Sequence, residues 1–180
     1  MVAILALIGF LVLPFPQGER PDEQASGDEP PRVVILPFEN LGSTEDEFFA
    51  DGITEEITAR LASMEGLRVI SRTSAVKYAD SEKSIQEMGE ELNVGFVLEG
   101  TVRWARGDDG SRIRITPQLI RVEDDSHLWA ETYDRVLDDV FEVQSEIAKK
   151  VTDELGVALT GSELEEIEHQ PTENLDAYQA

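Results

Sequence analysis

The sequence predicts an α/β fold, α+β in its mixture: a three-layer-like mixed β-sheet that contains an antiparallel meander and is flanked by helices. Three observations carry that expectation. A continuous apolar run, Val33-Val34-Ile35-Leu36, stopped by Pro37, reads as a strand covered on both faces. After it, Phe49, Ile53, Ile57 and Leu61 recur every fourth residue, with Phe48 and Met64 beside them, and such a stripe needs a sheet to cover it. Strict alternation then takes over. Phe96, Leu98, Val102 and Trp104, followed by Ile113 and Ile115 alternating with Arg112 and Arg114, face each other across Gly107-Asp108-Asp109-Gly110 as a hairpin.

In chain order, residues 1–16 are uncharged, and the first thirteen are apolar or glycine. Thirteen helical residues reach only about 20 Å against a hydrocarbon core of roughly 30 Å. The stretch also lacks the basic start of a signal peptide, so the carboxyl half of a transmembrane helix begun upstream is the preferred reading over a cleaved signal. Residues 17–31, with Pro21, Pro30 and Pro31 among five acids, form an acidic linker whose composition cannot pack. A single Arg20 there places the following domain outside the cytoplasm, since positive charge gathers on the inner side.

The domain is expected over 32–160. Thr44 and Glu47 stand at capping-box spacing before the first helix, which Gly66 closes, and Leu67–Ser71 makes a second strand, giving a β-α-β unit. Ser84 and Glu87 cap a short helix with Ile85, Met88 and Leu92, ended by Asn93 or Gly95. In the hairpin's second arm the parity flips near Pro117, which predicts a bulge or edge there, and His127 to Arg135 completes the meander. Val143, Ile147, Val151, Leu155 and Leu159 then mark a long helix begun near Asp138 and Asp139. Residues 161–180 read as an acidic tail.

Four blocks carry a resemblance: Val34–Leu41, Phe48–Ile57, Val97–Arg103 and His127–Arg135. Together they resemble the TolB amino-terminal-like, or FlgO-like, α/β domain. The resemblance implies a bacterial module set between a transmembrane helix and tetratricopeptide repeats, in proteins whose cytoplasmic part is a kinase, an adenylate cyclase or a winged-helix regulator. It implies no catalytic motif. Residues 171–178 look like the lead-in to the repeats of that family.

A formal charge of −23, from 38 acidic against 15 basic residues, opposes contact with nucleic acid. Without cysteine there is neither a disulfide nor a thiolate nucleophile. The paired carboxylates Glu55-Glu56, Asp108-Asp109, Asp124-Asp125 and Asp138-Asp139 are adjacent in turns or on helix surfaces and converge on no site. His127 and His169 join no triad or metal pattern, and no glycine-rich loop follows the first strand. No catalytic residue, cofactor or metal ligand is therefore expected.

Two binding sites are weighed instead. Asn40, Asp51 and Thr54 could line a pocket beyond the carboxyl end of the first strand, where open α/β sheets hold ligands, against a local turn at Asn40 and a helix decoration at Asp51. Arg103, Arg112, Arg114 and Arg121, near Trp104 and Trp129, could form a partner surface, against a structural ladder with Glu99, Glu123 and Glu131. The expected function is that of a non-enzymatic, membrane-tethered periplasmic module for protein interaction or signal sensing, with small-molecule sensing as the alternative.

Overall fold

The computed structural model describes residues 29–168 apart from 108, 109, 137 and 138. The anchor-like segment, nearly all of the linker, the hairpin tip, Asp138, His169 and the lead-in at 171–178 lie outside the described residues. Seven strands form one mixed sheet. Its path is β3 (Arg68–Val69), β1 (Arg32–Ile35), β4 (Phe96–Gly107), β5 (Gly110–Arg121) and β6 (Ser126–Ala130); β2 (Glu39–Asn40) also pairs with β4, and β7 (Tyr133–Val136) with β5. β1 is parallel to both β3 and β4, and every pairing of β5 is antiparallel. The expected mixed sheet is thus present.

The strand–helix pair at its start shows why the apolar run was continuous. Val33 and Ile35 enter one core while Val34 and Leu36 enter another, and all four are buried. The first core lies under α1 (Glu47–Ala62), α4 (Val140–Glu154) and α5 (Gly161–Glu168). The second lies under α2 (Arg72–Ala75), the turn after it and α3 (Ile85–Leu92). Burial of such side chains contributes about 1.5–3 kcal/mol each.

In α1, Phe49, Ile53, Ile57 and Leu61 are buried as expected, but Phe48 lies outside the buried stripe and is 51% exposed, its ring 4.4 Å from that of Phe49. The capping box at Thr44 and Glu47 does not form. Thr44–Asp46 wind as a 3-10 turn, and Ser43 Oγ donates to Asp46 Oδ2 instead. Nor does Gly66 close the helix, which ends at Ala62; Gly66 sits where an added Cβ would lie 2.8 Å from Val157 Cγ1. At α3 the Ser84–Glu87 box is complete, and Asn93 ends the helix with φ 52°.

β4 and β5 pair without a break from Phe96↔Arg121 to Gly107↔Gly110, so there is no bulge between them at Pro117. The register shift falls on the other side of β5, between Leu119 and Ile120 against β6. Pro117, which has no N–H to donate, stands where that side changes partner from β7 to β6. The parity flip has a simpler cause: Leu119 faces the first core and Val122 the second, with Ile120 buried between them, because this end of the sheet is covered twice. The run 127–135 is two strands broken at Glu131-Thr132. Leu155 and Leu159 follow α4 as partly buried loop residues, and Gly161 opens α5, whose Ile167 is 1% exposed in the first core.

Candidate functional site

A cleft of about 540 Å³ opens beyond the carboxyl end of β1, at the place expected of an open α/β sheet. Asn40 and Asp51 both line it, with Glu39, Glu47, Asp80 and Arg72 around them. Asn40 is held by a local turn: its Nδ2 donates to Ser43 O at 2.6 Å, and its Oδ1 accepts from Gly42 N–H at 2.9 Å. Asp51 pairs with Arg72 at 3.6 Å, and Arg72 also reaches Glu55 at 3.6 Å. Thr54 is elsewhere. It is buried, accepts from Phe38 N–H at 3.0 Å and donates to Ala50 O at 2.7 Å, so it ties α1 to the end of β1. Arg72 was missed because a four-residue helix leaves no periodic trace.

The second candidate divides by strand parity. Arg103, Arg112 and Arg114 line a hollow of about 260 Å³ on the second face of the sheet. Trp129 is in the first core and Trp104 packs against it, with its ring 4.3 Å from that of Phe49. Arg103, Arg112 and Arg114 therefore lie on the face opposite the two tryptophans and make no joint surface with them. Trp129 Nε1 donates to Glu131 Oε2 at 3.3 Å, as does the Tyr133 hydroxyl. Arg121 pairs with Asp124 in the adjoining turn.

The ladder exists with a different acid. Asp134 on β7 accepts from Arg112 Nε and Nη2 at Oδ1, at 3.1 and 2.6 Å, and from Arg114 at Oδ2. These two guanidiniums, Arg114 foremost, hold the Asp134 carboxyl below its ordinary range. Glu99, one of the expected partners, is pushed up by burial. Asp134 faces Arg114 across β5 and β7, so it was findable once the 131–132 break was placed.

A third hollow, about 440 Å³, lies between α4 and α5 beside Glu142, Glu146, Lys149 and Ile167. Among the described residues no group of three His, Cys, Asp or Glu could hold a metal ion, and no helix is long and apolar enough to cross a membrane.

Residues 32–150 match the family described as the HilA/YgeH-like transcriptional regulator, second domain. A protein of Rhizobium meliloti (strain 1021), named as adenylate cyclase 3, is 42% identical over 149 residues, which are 82% of this chain and 25% of that protein. The chain thus spans about a quarter of that relative. Two solved structures share the fold alone. TolB from Acinetobacter baumannii has a TM-score of 0.50 and 13% identity, over 71% of this chain and 29% of its own. The hypothetical protein CT253 from Chlamydia trachomatis has a TM-score of 0.51 and 15% identity, over 71% of this chain and 99% of its own.

Proposed function

The chain belongs to the domain family described as the HilA/YgeH-like transcriptional regulator, second domain, and from that premise we propose that it is a non-enzymatic interaction and sensing module of a bacterial signalling protein. The observation that carries the reading is the pairing of matches. One sequence fits a domain of transcriptional regulators and a quarter of a protein named as an adenylate cyclase. A unit attached to such different outputs supplies what they share, which is reception or coupling rather than chemistry.

In this reading residues 1–16 anchor the chain to the inner membrane, 17–31 space it, and 32–160 form a TolB amino-terminal-like domain outside the cytoplasm. The segment from 171, beyond the docked α5, leads into tetratricopeptide repeats. The acidic surface agrees with a protein partner and opposes direct contact with DNA by this domain. Replacing the matching segment of the Rhizobium meliloti relative with residues 32–150 tests the role. Retained basal output with altered regulation is expected; loss of the catalytic step itself would contradict it. For placement, a reporter active only in the periplasm, fused after Pro31, is expected to give signal, and a cytoplasm-only reporter scoring instead would refute it.

The cleft beside Asn40 and Asp51 favours a second reading, sensing of a small molecule. A ligand-dependent rise in melting temperature, abolished by Asp51→Ala, would support it.

A further inference from the structure

We propose that the open end of the sheet's second face, around Arg103, Arg112 and Arg114, receives an acidic segment of a protein partner, whose carboxylate is taken up by Arg103. The inference deepens the interaction role above and rests on it for its biological setting. Among the described residues no helix reaches this end: α2 and α3 cover Val34, Leu36, Val97 and Val122 at the other. What lies open is basic. Among the described residues Asp134 is the one acid lining the hollow, and both of its oxygens are taken, Oδ1 by Arg112 and Oδ2 by Arg114.

Arg103 has no ion-pair partner among the described residues. It stands directly opposite Arg114 in the β4–β5 register, and like charges so placed repel. Three guanidiniums against one carboxylate, in a chain of formal charge −23, leave a local demand for negative charge that the described acids lining the hollow do not meet.

The shape and setting select the occupant. A guanidinium takes a carboxylate in a two-pronged grip and is enriched at partner contacts. Exposed Ala105 and Val136, the latter 41% exposed, add apolar area beside the arginines that suits a peptide better than a bare anion. The overall charge repels nucleic acid and a second copy of this chain. A short segment feels mainly the local cations, since screening acts within about 8 Å at physiological salt.

The test is fluorescence anisotropy of the full 180-residue chain with a labelled peptide of alternating glutamate and valine. Saturable binding is expected, with none to a lysine–valine peptide and with no displacement by inorganic phosphate at matched concentration. Arg103→Ser should weaken binding by about tenfold, the scale of a lost hydrogen bond to a charged group. Arg103→Lys should recover part of it, and Arg72→Ser, in the other cleft, should change nothing. Absence of binding, or an unaltered affinity in Arg103→Ser with its melting temperature kept, overturns the proposal. Displacement by phosphate would make this a plain anion site. A dimer in sedimentation that Arg103→Ser dissolves would give the face to a second copy; either result also overturns it. Failure of the domain exchange above would leave this titration unaffected, so the two claims fail separately.

Discussion

The two ends of β4 lie in one strand and one sheet, yet live in different surroundings. At Val97 the second face is sealed by α2 and α3 and the side chain is fully buried; eight residues on, Ala105 on the same face is exposed. The first face is covered throughout by α1 and α4, so Leu98, Val102, Ile113 and Ile115 are all buried. The fold is therefore three layers deep at the parallel end and two at the hairpin end. This difference explains both the sequence pattern, continuous apolar residues at one end and alternation at the other, and where surface is left for partners.

The largest effect that could break this contrast comes from placing one charge at each end. Val97→Asp should destabilise by more than about 4 kcal/mol, since it buries an unpaired carboxylate, whereas Ala105→Asp should stay within about 0.5 kcal/mol. Chemical denaturation reads both. Next comes the seal itself. A Cβ at Gly89 in α3 would lie 2.3 Å from Val122 Cγ1, a stiff branched side chain, so Gly89→Ala should lose about 1–2 kcal/mol despite better helix propensity. Gly95→Ala, which meets nothing within 4 Å, should be nearly neutral.

The first-face cover has its own weak point. Gln144 in α4 is fully buried and neither its Oε1 nor its Nε2 has a hydrogen-bond partner, so Gln144→Leu should gain about 1–3 kcal/mol in thermal or denaturant unfolding. The smallest effect belongs to the open end. Because Arg114 and Arg112 depress the folded-state pKa of Asp134, its contribution is full above the ordinary aspartate pKa of about 3.9 and is lost as pH falls through the lower folded value. A carboxyl carbon NMR titration should find the Asp134 midpoint below that ordinary value, and Arg114→Ser should bring it back up.

How far the sequence could be read follows from the same contrast. Val33–Leu36, the α1 stripe, the Ser84 cap and the Ile113–Ile115 alternation were legible because each is a local period tied to one surface. Phe48 and the Thr44–Glu47 box were misread because spacing alone cannot say which of two adjacent residues faces inward, or whether a first turn winds as 3-10. α5 falls within the expected tail, since Leu164 and Ile167 are too few to show a period, although Arg60 Nη1 donates to Ile167 O and Glu163 accepts from Glu65 N–H to dock it. Of the candidate site residues, Asn40 and Asp51 do share a cleft; Thr54 turned inward as a structural tie. Arg112 and Arg114 were separated from Trp129 by strand parity, which only the register of three strands could fix.

Because the chain contains no cysteine, a single thiol can report the depth of cover along β4 without interference. Val97→Cys, Thr101→Cys, Arg103→Cys and Ala105→Cys, each treated with a maleimide under native conditions, should show strong protection at 97 that fades to nearly free-thiol rates at 103 and 105. Equal protection at 97 and 105 would mean that the second face is closed along its whole length, and would contradict the two-depth sheet on which the proposed partner surface depends.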